Sequence, residues 1–454
     1  MSVAFFLSAC ATSSDGRPGT EPTAAGDAPI ADAAARTGSI AAETISRQVE
    51  PLAFSGRGVT MESAVQRALS WHPSIDEAVG RYRQQGEAVA EARSGYLPTV
   101  SWGVDSAYDS ERSSRYSPVL NLNGSQMLYD FGAVDARVEI ATAGVAGGRS
   151  QVLLAMDDLA RETAQAVVEI QRNQSLAKIA RDQIDDTSAI LDLVRSRTDR
   201  GASTRSDQLQ AEARVQAAES TLLEIEGQLQ RWRGVLTALV GAGVQGVSDV
   251  LPAQLAGACL VAEPYWSRVP AVMQAEAEGE AAAAQVDLTR AEGLPTLSLD
   301  GRVGSDIIEF GSSEPEYRLG LNVSGSIFNG GETAARRNAA AYALAASGAA
   351  SERARVDVLR NLAEAAGQVS SMQRLTQSLE MRQAMMRETR DLYRAQYVEL
   401  GTRTLLDLLN ADQELHAARF DGVNVEHDVR RLRLDCAYFS GGSERVFAFR
   451  ADRV

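Results

Sequence analysis

The sequence has no run of 18 apolar residues, so no helix in it can cross a bilayer as a hydrophobic span. Any passage through a membrane has to use strands. Positive charge is in short supply. Lys and Arg number 45 against 60 Asp and Glu, a net charge of -15, which excludes the basic footprint of a nucleic-acid binder. Aromatics make up 6%, a composition that suits long, closely packed helices better than a thick globular core. There are 3 histidines and 3 cysteines. No pair among Cys10, Cys259 and Cys436 has the spacing of a metal site. His72 precedes Pro73 and reads as a cap. His416 and His427 share a helix face but stand about 16 Å apart along it, too far to share an ion. No nucleophile elbow, phosphate loop or dinucleotide fingerprint is found. The chain reads as a non-enzyme, with neither cofactor nor metal.

What is present is a duplication. Gly95-Tyr96-Leu97-Pro98-Thr99 recurs as Gly293-Leu294-Pro295-Thr296, and Pro73 matches Pro270 at the same offset. Leu128-Tyr129-Asp130-Phe131-Gly132 matches Ile327-Phe328-Asn329-Gly330-Gly331. Gly201 to Asp207 matches Gly401 to Asp407. Four landmarks in one order define two repeats, 59–252 and 253–440, followed by a tail, 441–454. Each repeat reads as helix, strand hairpin, very long helix, tight turn and helix. The first helix is expected from about Met61 to Ser94. The hairpins are expected at about 99–130 and 296–329, and the turns at 199–206 and 399–404.

Two periodicities support this layout. Val100, Trp102, Val104 and Tyr108 alternate with Ser101, Gly103 and Asp105. Tyr317, Leu319, Leu321 and Val323 alternate with Arg318, Gly320, Asn322 and Ser324. Period two over about ten residues fits a membrane strand, although a soluble hairpin looks similar. From Ala133 to Thr198 there is no proline, and an uncharged stripe at 3–4 spacing runs from Val152 through Ile170 and Leu191 to Thr198. That is a coiled-coil seam in a helix of roughly 100 Å. The matching stripe in the second repeat, from Val358 to Tyr397, is interrupted by Gln383 and Arg390. Four strands cannot close a barrel alone, so several chains must share one. A water-filled duct favours three or more.

Residues 11–58 lack periodic apolar residues and read as a flexible leader. Before them, Leu7-Ser8-Ala9-Cys10 resembles a lipobox, with Cys10 as the lipidation candidate of a signal remnant at 1–10. Cys259 and Cys436 can pair in an oxidising compartment.

The layout, the two Leu-Pro-Thr strand starts and the tract Gly401-Thr402-Arg403-Thr404-Leu405-Leu406-Asp407 resemble the TolC-type outer-membrane efflux family over roughly residues 59 to 440. The resemblance implies a mixed, mostly α fold. A trimeric channel-tunnel shares a 12-stranded transmembrane β-barrel, four strands per protomer, above a long periplasmic α-helical barrel. It implies a homotrimer in outer-membrane lipid, docked to a periplasmic adaptor and to an inner-membrane ABC transporter or proton-driven pump. The tract from Tyr397 to Leu415 is similar to members serving type I protein secretion, including adhesin export, so a secretion duct is the expected role. The alternatives are the outer-membrane part of a multidrug efflux pump and, from another class, a soluble periplasmic coiled-coil scaffold. Carried over by motif, the periplasmic gate candidates are Asp407 and Arg403 at the second turn and Ser206 and Asp207 at the first. Tyr397 is added next to Val398, the position where the family has a gate tyrosine. Asn410 stands where the family often has a second acid. Gly201 and Gly401 make the turns. Thr204-x-x-Asp207 and Thr404-x-x-Asp407 also read as capping boxes, a role each acid can fill alone.

Overall fold

The computed structural model describes residues 58–108, 116–261, 263–306 and 316–449. Cys10 and nearly all of the expected leader lie outside them. Two helices open the described chain, α1 (Met61–Trp71) and α2 (Pro73–Ser94). The single helix expected from Met61 to Ser94 is thus divided. Pro73 drives His72 out of the helical region, to φ -70° and ψ 131°. His72 then caps α2 by accepting from the Ser74 amide.

Strands β1 (Thr99–Tyr108) and β2 (Tyr116–Tyr129) follow, then α3 (Ala133–Asp199) and α4 (Arg205–Val240). A 3-10 segment, Ala253–Leu260, leads to α5 (Pro270–Ala291), β3 (Thr296–Asp306) and β4 (Glu316–Ser324). The long α6 (Glu332–Ala395) and α7 (Leu405–Phe439) complete the second repeat. The stretch expected as a tail holds a short α8 (Ser443–Phe447), whose Val446 and Phe447 are buried in the main core.

Helix α3 has 67 residues, about 100 Å of helix. Along its stripe Val152, Met156, Leu159, Thr163, Ala166, Ile170, Asn173, Ala177, Ala180, Thr187, Leu191 and Val194 are buried. The polar members are satisfied locally where they bond: Asn173 donates to Glu169 O at 2.7 Å and Thr187 to Gln183 O at 2.7 Å. The two interruptions in α6 are answered by two different neighbours, α7 for Gln383 and α3 for Arg390. Gln383 donates to Ala418 O at 3.0 Å, and Arg390 meets Asp186 at 2.9 Å. The largest core gathers α1, mid-α3, α4, the 3-10 segment and the end of α7 around Met61, Ile170, Leu236, Leu255 and Leu434. Cys259 and Cys436 are joined by a disulfide there.

Candidate functional site

The four strands form one antiparallel sheet in the order β1-β2-β3-β4. Its register aligns Trp102 with Leu122, Leu122 with Val303, and Val303 with Tyr317. Because side chains alternate along a strand, one face gathers Val100, Trp102, Val104, Leu122, Val303, Tyr317, Leu319, Leu321 and Val323. These side chains are bare: Trp102 is 77% exposed and Tyr317 85%. The opposite face carries Ser101, Asp105, Asn121, Asn123, Ser125, Asp300, Arg302, Arg318 and Asn322. It is tied by its own hydrogen bonds. Asn121 donates to Asp105 at 2.6 Å and accepts from Arg302 at 3.2 Å, while Ser125 donates to Asp300 at 2.6 Å. An apolar face with no protein cover, backed by a polar one, is the pattern of a barrel wall between lipid and lumen. Among the described residues β1 pairs with β2 alone and β4 with β3 alone, so both edges are open.

At the other end of the long helices the chain turns twice. Gly201 (φ 73°) and Gly401 (φ 63°) take the left-handed conformation that ends α3 and the π-helical turn after α6. Each turn is followed by a reciprocal capping box. Asp207 accepts from the Thr204 amide at 2.9 Å, and Asp407 from the Thr404 amide at 3.2 Å. These backbone bonds hold both carboxyls below the usual aspartate range. Ser206 is exposed on the first turn of α4.

Tyr397 links the two turns. It is buried, and its hydroxyl lies 3.2 Å from Ser203 Oγ. The Ser203 hydroxyl donates to Asp207 at 3.3 Å, so in that arrangement it accepts from the Tyr397 hydroxyl. Arg197 lies over the Tyr397 ring, 4.7 Å from its centroid, and donates to its carbonyl at 3.3 Å. Arg403, in contrast, keeps to its own hairpin. It covers the Tyr393 ring at 4.4 Å, donates to Gln396 at 3.1 Å and stands 4.0 Å from Asp407. Arg197 and Ser203 were missed in the sequence. The only signal was that they flank the turn opposite Tyr397, a proximity that no spacing along the chain reveals. Asn410 accepts from Arg214 at 3.3 Å.

A second polar group lies further along the same helices, away from the turns. Asp186 of α3 meets Asp412 and His416 of α7, with one ligand-type atom from each within 4.8 Å of the others. Burial pushes the Asp412 carboxyl up to about 6 and holds His416 below the usual imidazole range. The spacing of His416 from His427 gives no hint of this group. His427 in fact bonds Val423 O at 2.8 Å, and the partners of His416 are acids, one of them on another helix.

A two-faced sheet with open edges, joined to antiparallel helices of this length, defines a subunit of an outer-membrane channel. The chain belongs to the outer membrane efflux protein family, whose model matches residues 64–242 and 266–434. It is 27% identical to the pyoverdine export outer membrane protein OpmQ of Pseudomonas aeruginosa over 80% of this chain and 81% of that one. It is 24% identical to the alkaline protease secretion protein AprF of the same organism over 65% of each. Its fold matches the crystal structure of the outer membrane protein VceC of Vibrio cholerae with a TM-score of 0.75, at 20% identity, over 84% of this chain and 96% of that one. The fold is that of a TolC-type channel protomer with an internal repeat. The chain is an outer-membrane efflux channel of tripartite export systems, which rules against a soluble scaffold. Its family and structural neighbours are passive channels, not enzymes.

Proposed function

We propose that three copies of this chain close one 12-stranded barrel in the outer membrane and continue it as a helical tunnel in the periplasm. The observation that carries this reading is the four-stranded sheet with an apolar face and two open edges. Single-chain barrels begin at about eight strands, and lipid tolerates no free edge. Three sheets give a lumen wide enough for water. The bare flank of α6, with Tyr342, Val356, Met381, Met385 and Leu392 exposed, supports a neighbouring copy as its cover. Purified in detergent, the protein is expected to run as a trimer of cross-linked mass and to conduct in planar bilayers. A monomer that stays soluble without detergent would overturn the reading.

The turns at Gly201 and Gly401 form the periplasmic mouth. Asp207, Ser203, Tyr397 and Arg197 hold the two hairpins of one protomer together in the closed state, and Asp407 with Arg403 faces the neighbouring protomer. Ser206 borders the same opening. Arg403→Ala is expected to raise single-channel conductance, and an unchanged conductance removes Arg403 from the gate. Transport energy comes from an inner-membrane ABC transporter or proton-driven pump, reached through an adaptor protein. Cys10 supplies a lipid anchor, to be tested by acyl labelling of the wild type against Cys10→Ser.

For the cargo, the similarity to OpmQ over most of both chains, together with the lipobox-like start, supports export of a small molecule. A second reading, type I secretion of a protein such as an adhesin, is supported by the similarity to AprF and by the Tyr397–Leu415 tract. A deletion strain separates them. Lost resistance to a toxic small molecule, with surface proteins intact, supports the first. Lost surface protein, with resistance intact, supports the second.

A further inference from the structure

Asp412 is 3% exposed, and its Oδ1 has no hydrogen-bond partner. An orphaned, buried carboxylate oxygen is costly, and something is expected to answer it. That oxygen is directed at a specific set of neighbours. His416 Nε2 lies 3.8 Å away and Arg390 Nη1 3.9 Å away. Across the helix interface Asp186 Oδ2 is 3.1 Å from the same His416 nitrogen and 2.9 Å from the same Arg390 nitrogen. The other carboxylate oxygen of Asp412 is 3.4 Å from the Thr187 hydroxyl.

We infer that Asp186 Oδ2, Asp412 Oδ1 and His416 Nε2 are a binding site for a divalent transition cation, with Zn2+ the best match. Ligand atoms at about 2.0–2.2 Å from a tetrahedral zinc stand roughly 3.3–3.6 Å apart. The separations of 3.1 and 3.8 Å bracket that edge, and the third, between the two carboxylate oxygens, is within 4.8 Å, so a rotation that brings Asp412 Oδ1 inward completes the face. One imidazole with two carboxylates suits zinc and its neighbours better than Mg2+ or Ca2+, which favour oxygen alone. Access runs past Asp186, whose side chain is 42% exposed.

Arg390 is the cation that now stands between the acids. Its remaining donors go to Asp391 at 3.1 and 3.0 Å, so it keeps a partner when a metal displaces it. Coordination through Nε2 places the ring proton on Nδ1. That proton faces the Arg419 guanidinium, a donor 3.5 Å away, so this Arg419 arm has to turn aside when the ion binds while the other stays bound to Asp182. The bound ion replaces one charge by two at the joint between α3 and α7, and so ties those two helices together. The site stands whether the cargo is a small molecule or a protein.

The test uses the tag-free, full-length protein in detergent, titrated with ZnCl2 and, as a control, MgCl2. One Zn2+ per chain is expected, with a rise in Tm that Mg2+ does not reproduce. Asp412→Asn keeps the shape and should weaken zinc binding by at least about tenfold, the least that loss of even an outer partner costs. If that variant fails to assemble, the half-exposed Asp186→Asn serves the same purpose. Arg390→Gln removes the competing positive charge and should tighten binding by about tenfold or more. Arg390→Gln lowers the stability of the metal-free protein in either case, because it leaves the two acids unanswered; a purely structural ion-pair cluster predicts that loss with no gain in zinc affinity. Absence of zinc binding in both the wild type and Arg390→Gln overturns the inference, as does an affinity unmoved by both Asp412→Asn and Asp186→Asn.

Discussion

Helices α3 and α6 occupy the same place in the two repeats and are nearly equal in length, 67 and 64 residues, yet they meet different surroundings. Helix α3 is covered by α1, α2, α4, α5 and α7 and buries side chains from Ala133 to Val194. Helix α6 meets mainly α5 and α7 and buries only Ala340, Val358, Leu362, Ala365, Val369 and Leu379. Duplication supplied two equal rods, and the fold used one as an internal spine and the other as an outer wall. The difference separates residues that stabilise a protomer from residues whose burial awaits another copy.

The sharpest way to break that comparison is Ile170→Ala against Tyr342→Ala. Ile170 is fully buried in α3, and its truncation should cost about 2–5 kcal/mol, read as a lower denaturation midpoint. Tyr342→Ala should leave the protomer's midpoint unchanged and weaken only the trimer on semi-native gels. Equal effects on the midpoint would erase the distinction between spine and wall. A similar contrast holds within the sheet. Leu319→Arg, on the apolar face, should cost about 2–4 kcal/mol and remove the protein from outer-membrane fractions. Asn322→Arg, on the polar face, should assemble normally and alter ion selectivity.

A subtler test concerns charge inside the spine. Burial pushes the Asp157 carboxyl up to about 7, from an ordinary value of 3.8. The folded state therefore holds that proton more tightly than the unfolded chain does. The stability this lends is full below pH 4 and is lost as pH rises through 7, by up to about 1.4 kcal/mol per pH unit. Asp157→Asn should match the wild type near pH 4 and exceed its Tm by pH 8. A constant difference across that range would mean the carboxyl is not carrying the titration. The smallest effect is expected at the turns, where Thr204→Ala removes one side of a capping box at a cost of about 1 kcal/mol, seen as local amide exchange in the first turn of α4.

The mostly helical class, the repeat and the channel family were legible because they rest on local periodicity. Val152 to Val194 are uncharged at helical spacing, and Trp102 and Tyr317 stand in strict alternation. What escaped was either a break or a long-range meeting. The division at His72 was signalled by Pro73, but the apolar pattern continued through it. Arg390 looked like a flaw in a stripe, because its answering charge, Asp186, lies two hundred residues earlier. Arg197 and Ser203 flank the first turn in the sequence, but nothing along the chain places them against Tyr397, because the packing of α3 and α4 against α7 is what brings the two turns together. Sequence spacing reports which residues share a face. It does not report which faces meet.

The Cys259–Cys436 bond makes a closed covalent ring of nearly the whole second repeat, from the connecting segment through α5, the β3–β4 hairpin and α6 to the end of α7. A single protease cut anywhere inside that ring leaves one molecule under oxidising conditions and two fragments after reduction. An outer-wall helix facing a proteolytic environment can therefore be nicked without being shed.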